Sequence, residues 1–525
     1  MSFPLTRRLF TRTAAGAAIG AAAGVAGGVA AGLAPHPGRA AEPGPFVVAS
    51  PAPLATLDPG FLAGPSSLAD NVFDTLVARA PDMKLAPGLA LAWKPLDDTT
   101  WEFALRPGVR FHNGEAFTAA AVKFSLDRAR DPAAPGAAAL ASLAAVEAPS
   151  DLVVRLHTRA PDPLLPARLS RAPTHIVPPA YVGQVGAEAF ARQPVGTGPY
   201  RVTTFLPGER AVLQAWTGHW RGQPTSSQPI PADAEWRFMP EPTARVAALL
   251  AGKVHLAAGI PADLVEDLAG AAGVAVQRVR NAGPLVYLGL KGTAAPLADV
   301  RVRQALSLAI DRRKLATETL RGFATPAGNQ VSPFDFGCKP LPLPPFAPDQ
   351  ARRLLGEAGL ERGFSIGLQV PRRYLDSAAV GDALVRQLAA VGIKARLEVL
   401  AWPDYTARLA RKTQAPLHLL GWSETQIFDA GATLYPVLRS GEPYATVALP
   451  ELDALLDESR RTLDPAARAA VLWKVQDLAA SQFSTLPLYR EDLVFACTRQ
   501  VGARQVAFTG RPDGRILLSE IHFVT

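Results

Sequence analysis

Histidine and cysteine are the side chains that most often hold metals or activate nucleophiles, so their spacing is the first evidence about chemistry. The chain has eight histidines and two cysteines, with histidines at positions 36, 112, 157, 175, 219, 255, 418 and 522. None of the histidines forms an H-x-x-x-H or H-E-x-x-H pattern, and none stands close to a cysteine. The chain also lacks a G-x-S-x-G elbow, a Walker loop and a dinucleotide-binding glycine pattern. We therefore expect a binding protein without a cofactor rather than an enzyme. A secreted hydrolase is the alternative from another class, because a catalytic triad can be assembled from distant residues.

The elements of the last third of the chain indicate where a ligand would bind. Apolar residues at helical spacing predict a helix over 376–391, and alternating residues predict a strand over 393–401. A short helix near 404–411 and a buried strand over 416–422 follow. Helices and strands that alternate in this way build open, largely parallel sheets, in which ligands bind at the carboxyl ends of the strands. Trp422 stands at such an end, so the segment 423–434 is a candidate binding loop.

The same reasoning predicts elements elsewhere in the chain. Trp101, Phe103 and Leu105 alternate with less apolar residues and predict a strand, which Pro107-Gly108 joins in a hairpin to residues 109–111. Further helices are predicted from Thr118 to about 128, over 243–251, after Asp299, and after the Asp464-Pro465 cap. The fold class is therefore α/β.

The N-terminal segment indicates export from the cytoplasm. Arg7-Arg8 with Phe10 matches the twin-arginine pattern, and a stretch rich in alanine and glycine follows over residues 13–34. Gly38-Arg39-Ala40 offers small residues at the −3 and −1 positions of a cleavage site, so we expect residues 1–41 to be a signal peptide that is removed. A transmembrane anchor is the alternative, although alanine and glycine contribute little transfer free energy to a bilayer span. The mature protein is expected in the periplasm.

Length, charge and cysteine content limit the class of protein. The 525 residues are too many for one core and predict two or three domains. The formal charge is +8, and the four arginines of the leader account for half of it, so nucleic acid is not an expected partner. Cys338 and Cys497 lie far apart in the sequence. We expect two separate thiols, although an oxidising compartment would permit a disulfide.

Short motifs follow one another in order over most of the chain. They are Leu57-Asp58-Pro59, WEFALRPGVRFHNG at 101–114, VGTGPY at 195–200, Pro207-Gly208-Glu209, Trp220-Arg221-Gly222, VRVRQAL at 300–306 and Ala309-Ile310-Asp311. From about residue 45 to the end, the chain resembles the large solute-binding proteins of peptide/nickel-type ABC importers, the oligopeptide- and dipeptide-binding family (extracellular solute-binding family 5). The resemblance implies a receptor that captures a small solute and delivers it to a membrane permease and its ATPase.

The resemblance also implies two lobes around a cleft, with an extra domain inserted in the first lobe. Transferred to this sequence, lobe I takes residues 42–75, 188–282 and 487–525, the inserted domain takes 76–187, and lobe II takes 283–486. Crossings near 280–286 and 484–490 would form a hinge that lets the lobes close around a ligand. We expect a monomer.

Binding residues are implied in the loop before the long helix of lobe II. In the dipeptide binders that the chain resembles, an arginine there takes the ligand carboxylate. Its planar fork can bind both oxygens. This implication makes Arg372 the first choice, Arg373 the fallback and Tyr374 their neighbour. The alternative is a solvated charge pair at the start of a helix.

The acid that meets a ligand ammonium follows the equivalent of Trp422 in those relatives. Residues 421–430 of this chain lack their Asp-Pro-Asp, which leaves Glu424 or Asp429 as the candidate. Trp402 and Trp422 are candidate aromatic walls, with ordinary core packing as the alternative for both.

A peptide or a modified amino acid is the expected ligand. Nickel or a metal chelate is the alternative within the family, and His418, inside a predicted strand, is the only histidine close in sequence to the predicted site. Opines, sugars and other small organic solutes are further alternatives. A periplasmic sensor or chaperone without a transport role would carry the same sequence features.

Overall fold

The structure is a computed structural model that describes residues 44–62, 64–222, 230–423 and 427–524. The predicted signal peptide and Glu424 lie outside these ranges. Within them, every helix is too short or too polar to span a bilayer.

Strands and helices alternate irregularly in the first half of the chain. The strands are β1 (Phe46–Ser50), β2 (Val77–Arg79), β3 (Leu85–Pro87), β4 (Ala90–Pro95), β5 (Thr100–Leu105), β6 (Leu143–Ser150), β7 (Val153–Thr158), β8 (Tyr200–Leu206), β9 (Arg210–Ala215), β10 (Asp233–Phe238), β11 (Leu256–Ala258) and β12 (Val274–Val279). The α-helices are α1 (Ser67–Val72), α2 (Ala119–Ala129), α3 (Leu165–Arg168), α4 (Pro179–Arg192), α5 (Pro242–Leu250) and α6 (Val265–Ala269).

The second half has longer helices and ends in strands. The strands are β13 (Leu285–Leu290), β14 (Ala324–Pro326), β15 (Phe364–Pro371), β16 (Ile393–Leu400), β17 (Leu417–Trp422), β18 (Thr485–Glu491), β19 (Leu493–Thr498), β20 (Gln500–Val501), β21 (Arg504–Ala507) and β22 (His522–Val524). The α-helices are α7 (Val300–Leu308), α8 (Arg312–Lys314), α9 (Pro348–Glu357), α10 (Ser377–Ala389), α11 (Trp402–Ala410), α12 (Ala430–Leu438), α13 (Pro450–Arg461) and α14 (Pro465–Ser481).

Two large sheets organise these elements. Sheet I has the strand order β12-β19-β11-β1-β10-β9-β8, and sheet II has the order β14-β18-β13-β17-β15-β16. Each sheet has its own buried apolar clusters, with Val48, Leu213 and Trp236 in sheet I and Leu288, Leu368 and Leu419 in sheet II. Because the apolar residues are buried against helices and loops around each sheet, the molecule has two lobes with separate cores.

A smaller antiparallel sheet lies between the first two segments of sheet I in the sequence. Its order is β4-β5-β7-β6, and α2 packs against it. The hairpin predicted from Trp101 to Phe111 is wrong, because β5 pairs with β4 and β7. Residues 109–111 form only an isolated bridge between Arg110 and Ala116. Val109 and Phe111 are both buried. The alternating apolar residues over 109–111 therefore reflect burial in this core and not pairing with another strand.

The predictions for the second half are confirmed for most elements. The helices begin and end close to the predicted residues, and Asp299 and Asp464 cap α7 and α14 with their side chains. Sheet II is mixed rather than largely parallel, because β13 is antiparallel to both β17 and β18. Only β15 pairs in parallel with its neighbours β16 and β17. A periodicity predicts that a strand exists, whereas its direction depends on the path of the connecting chain.

The chain crosses between the two sheets at two places that share one buried acid. Residues 280–284 lead from β12 to β13, and Asp492 alone separates β18 from β19. One carboxylate oxygen of Asp492 accepts a hydrogen bond from Nε of Arg278 at 2.6 Å, and the other accepts one from the backbone N–H of Asn281 at 2.9 Å. Asp492 therefore holds the two crossings together.

The two cysteines lie in different parts of the structure. Cys497 lies in β19 of sheet I, and Cys338 lies in a loop that packs near α12 and α14. Both are free thiols, so the expectation of two separate cysteines is confirmed.

Candidate functional site

Four strands of sheet II end at the same edge. β15, β16 and β17 are parallel, and β17 and β18 share a direction because both are antiparallel to β13. The residues at or just after their carboxyl ends are Arg372–Tyr374, Trp402, Trp422 and Glu491. This edge is where an open α/β sheet presents side chains to a ligand. The structure thus brings together, from segments far apart in the sequence, three of the predicted aromatic residues and both predicted arginines.

Arg372 and Arg373 are exposed at this edge, and neither forms an ion pair with any described residue. The backbone N–H of Arg372 donates to the carbonyl oxygen of Leu400 at 2.8 Å, which continues the pairing of β15 with β16. The guanidinium of Arg373 lies over the ring of Trp402, 4.8 Å from its centroid. A cation held over an aromatic face keeps its hydrogen-bond donors at the rim free for an anion.

Tyr374 forms a wall next to the two arginines. Its ring meets Trp402 edge-on at 6.2 Å between centroids, and its hydroxyl donates to the carbonyl oxygen of Gly421 at 3.5 Å. A Cβ atom on Gly421 would lie 2.3 Å from the tyrosine ring, so the close approach requires glycine there. Burial raises the pKa of Tyr374 to about 12, so its hydroxyl stays a neutral donor and acceptor at physiological pH.

Trp422 ends β17 and is half-buried. Its ring contacts Tyr444 edge-on at 5.2 Å, and its indole N–H has no hydrogen-bond partner in the described part of the chain. An indole N–H that is buried without a partner is uncommon in a settled core. Trp402 and Trp422 therefore lie at the ends of the two strands that flank β15, on either side of the arginine loop.

Asp429 lies elsewhere than the prediction required. Its side chain is buried, and its two oxygens accept hydrogen bonds from both terminal nitrogens of Arg468, each at 2.6 Å. One of these oxygens also caps α12 by accepting from the backbone N–H of Gly431. The assignment of Asp429 as an acid that waits for a ligand is corrected, because its charge is already neutralised within the fold. Glu424, the other candidate, falls in the undescribed gap 424–426.

Sequence reasoning missed Glu491, the last residue of β18. Its Oε1 accepts a hydrogen bond from the backbone N–H of Leu375 at 2.8 Å, directly after the Arg372–Tyr374 loop. Burial raises the pKa of the Glu491 carboxyl, while the nearby charge of Arg373 acts in the opposite direction. The rule that places ligands at the carboxyl ends of strands could have found it. The predicted boundary at 486, however, assigned this residue to the other lobe.

Sheet I presents an apolar cavity at the corresponding edge. β1, β10 and β11 are parallel, and the last residues of all three, Ser50, Phe238 and Ala258, line a cavity of about 280 Å³. Leu493 lines it as well, and is separated from Glu491 only by Asp492. The apolar edge of sheet I and the charged edge of sheet II therefore meet at the β18–β19 crossing.

A larger cavity of about 1000 Å³ lies near the other end of β10. Asp233, the first residue of β10, lines it, together with charged and imidazole side chains that include Asp74, His175, His219 and Arg221. None of the predicted site residues lines either cavity. The larger cavity lies at the amino end of β10, whereas open α/β sheets bind ligands at the edge where their parallel strands end.

A metal-binding site gains no support from the described residues. No group of three or more His, Cys, Asp or Glu side chains there is arranged to hold a metal ion. His418 lies inside β17 with its ring against Gly289, and burial lowers its pKa to about 4. It is therefore a neutral core residue, remote from the edge where the strands end.

Comparisons with known proteins give one consistent result. Residues 84–444 match the family model of the bacterial extracellular solute-binding proteins, family 5 (middle). The glutathione-binding protein GsiB of Escherichia coli (strain K12) is 29% identical over 473 residues, which cover 87% of this chain and 90% of that protein. Among solved structures, HbpA2 from Haemophilus parasuis has a TM-score of 0.80 at 22% identity and covers 91% of this chain and 100% of its own. The periplasmic binding protein DppA from Helicobacter pylori in complex with the peptide STSA has a TM-score of 0.67 at 22% identity, covering 92% and 98%.

Proposed function

The chain belongs to the bacterial extracellular solute-binding proteins of family 5 and is the substrate-binding component of an ABC importer, and from this premise we propose that its ligand is a short peptide-like solute that carries a carboxylate. Proteins of this family bind small ligands and work with an ABC permease and ATPase, and the relatives are solute-binding proteins rather than enzymes. We extend this to the present chain as a periplasmic receptor without catalytic activity.

The unpaired arginines at the carboxyl edge of sheet II carry this proposal. Arg372 and Arg373 follow β15, face solvent, and have no acidic partner among the described residues. Closure of the lobes would remove water from this edge and place the guanidinium groups in a medium of lower dielectric. An unpaired charge is costly there, whereas a ligand carboxylate satisfies it with two parallel hydrogen bonds. An anionic or zwitterionic ligand is therefore the class that makes closure favourable.

The names of the relatives agree with this class. Glutathione, bound by GsiB according to its name, and the peptide in the DppA complex both carry carboxylates. A ligand that binds only the native protein raises its melting temperature by mass action. We expect short peptides or glutathione to raise it, with tripeptide amides that lack the free carboxylate as the matched controls. A panel in which only carboxylate-free solutes raised the melting temperature would overturn the proposal.

We also propose that the two lobes follow the predicted division, with lobe I as 42–75, 188–282 and 487–525, the inserted domain as 76–187 and lobe II as 283–486, except that residues 487–491 go with lobe II because they belong to β18 of sheet II. The distribution of strands between sheet I, the small sheet and sheet II supports it. Asp492, which joins both crossings, makes them the natural hinge. Small-angle X-ray scattering with and without ligand tests this, because closure about such a hinge reduces the radius of gyration.

Export through the twin-arginine route, with removal of residues 1–41, completes the proposal. The Arg7-Arg8 pair with Phe10 supports it, and these residues lie outside the described part of the chain. Replacing both arginines by lysine keeps the charge and should leave the precursor in the cytoplasm. Unchanged export of that variant would contradict the route and leave the receptor function untouched. Sedimentation of the mature protein tests the expected monomer.

A further inference from the structure

We propose that Glu491 and Arg373 form a subsite for an α-amino-acid head group, in which an ammonium and a carboxylate share one carbon. The inference rests on the proposed function and names the part of the ligand that this edge of the cleft recognises. Glu491 would accept hydrogen bonds from the ammonium, and Arg373 would donate to the carboxylate.

The backbone of Glu491 is fixed at the crossing between the sheets. Its carbonyl oxygen accepts from the N–H of Gly283 at 2.8 Å, and its own N–H donates to the carbonyl oxygen of Pro284 at 3.1 Å. A Cβ atom on Gly283 would lie 2.7 Å from the carbonyl oxygen of Glu491, so the two crossing segments touch only because one of them has no side chain. A residue held in this way keeps its position when other parts of the cleft move.

The two carboxylate oxygens of Glu491 have different surroundings. Oε1 is held by the backbone N–H of Leu375 at 2.8 Å, which orients the group. Oε2 has no hydrogen-bond partner among the described residues, and the side chain is half-buried. Because one oxygen is anchored and the other is open, the carboxylate is positioned for a further donor.

Three other acids of sheet II and its crossings are already paired within the described part of the chain. Asp429 binds Arg468, Asp492 binds Arg278, and Asp376 contacts Arg321 at 3.2 Å. Glu491 differs from these three, because Arg373, the basic residue whose charge acts on it, is stacked on Trp402 and no ion pair joins the two side chains. The cost of burying the ionised carboxylate would be offset by a cation on the open side.

The spacing of the two groups selects the ligand chemistry. Leu375, which anchors Glu491, follows Arg373 by two residues, so the carboxylate of Glu491 is held at the same turn that carries the guanidinium. In an ordinary peptide the ammonium and the terminal carboxylate lie at opposite ends. In a free amino acid or a γ-glutamyl group both are attached to one carbon. Neighbouring Glu491 and Arg373 fit the second arrangement.

Isothermal titration calorimetry with reduced glutathione tests the subsite, because its γ-glutamyl end carries both groups on one carbon. Glu491→Gln removes the charge, keeps the size, and retains an amide oxygen for the N–H of Leu375. We expect this variant to bind glutathione about 10- to 100-fold more weakly than the unmodified protein. N-acetylglutathione, which lacks the ammonium, should bind both proteins equally. Glu458→Gln, a change of an exposed acid on α13, is the matched control and should bind glutathione normally.

The possible outcomes distinguish a failure of the proposed subsite from a failure of the proposed function. Equal glutathione affinity in Glu491→Gln and the unmodified protein would overturn the subsite. Binding of α-linked peptides without any binding of glutathione or free amino acids would also overturn it, while the proposed function would stand. If no carboxylate-bearing solute bound at all, both would fall. Circular dichroism of Glu491→Gln, and the variant Glu491→Asp, which keeps the charge on a shorter side chain, distinguish misfolding from lost recognition.

Discussion

Two arginine sites around sheet II differ in whether the fold itself supplies the opposite charge. Arg468 is buried, and both of its terminal nitrogens bind Asp429. Arg372 is exposed at the carboxyl end of β15 and has no acidic partner in the described part of the chain. The first arrangement completes the fold, because α12 and α14 are joined through it. The second leaves the guanidinium of Arg372 without an opposite charge among the described residues.

The difference shows why residue type alone does not identify a binding site. Asp429 and Arg372 were both predicted to bind ligand because the resemblance to the dipeptide binders implied an acid and an arginine in their segments. A charge that the fold has satisfied is part of its stability, whereas an oriented charge at a cleft without a partner is available to a ligand. The following predictions test this distinction.

Asp429→Ala should have the largest effect. It leaves Arg468 buried without its partner and removes the cap of α12, so we expect a loss of about 3–5 kcal/mol in the free energy of unfolding. Urea unfolding followed by circular dichroism measures it. Asp477→Ala removes one partner of the exposed pair with Lys339 and should cost less than about 1 kcal/mol. Similar losses for both variants would remove the contrast between buried and exposed pairs.

Arg372→Ala should act on binding and not on stability. We expect a carboxylate-bearing ligand to bind about 2–5 kcal/mol more weakly, the usual cost of removing one partner of a charge pair that closure buries. The unfolding midpoint should stay unchanged, because an exposed side chain contributes little packing. Calorimetric titration measures the first and urea unfolding the second, with Arg353→Ala on the exposed surface of α9 as the control. Unchanged affinity would remove Arg372 from the binding site.

Gly421→Ala should disturb the packing of Tyr374 against β17. The new Cβ would lie 2.3 Å from the ring of Tyr374, so either the ring or β17 must shift. We expect a loss of about 1–3 kcal/mol in stability, together with weaker binding. Gly356→Ala in α9 meets nothing within 4 Å and should be neutral or stabilising. A stable Gly421→Ala protein with unchanged Tyr374 fluorescence would show that the wall is loosely packed.

The smallest effect concerns the pH dependence of the unliganded protein. Burial raises the pKa of Glu491 above its ordinary 4.5, so its contribution to stability is fully present below that pH and is lost as the pH rises through the raised value. The hydrogen bond from the N–H of Leu375 and the charge of Arg373 oppose this shift of the pKa, and Tyr374 and Tyr489 also interact with the carboxyl. Glu491→Gln should therefore gain stability over the unmodified protein as the pH rises from about 4 to 8. Melting curves across this range measure the difference, and a constant difference would contradict the burial of the charge.

The sequence by itself determined most elements and their order. Helical and alternating apolar spacing located α10, β16, α11 and β17 within a few residues, because these patterns reflect local geometry. The motifs over residues 45–525 indicated the family, and the resemblance to its dipeptide binders selected Arg372. The direction of β13 and the partners of β5 were not accessible in this way, because apolar spacing is the same for a strand of either direction.

The tertiary structure decided which charges the fold uses. Asp429 binds Arg468, which lies 39 residues away in the sequence, and Glu491 binds the N–H of Leu375, which lies 116 residues away. Neither spacing corresponds to a helical turn or a strand repeat, so no local pattern could predict the contact. The free energy of an ionised group depends on its burial and on the charges around it, and both are set only when distant segments pack together. For that reason the sequence could propose the acids and arginines of this protein, and only the fold could separate those that are paired within it from those that have no partner among the described residues.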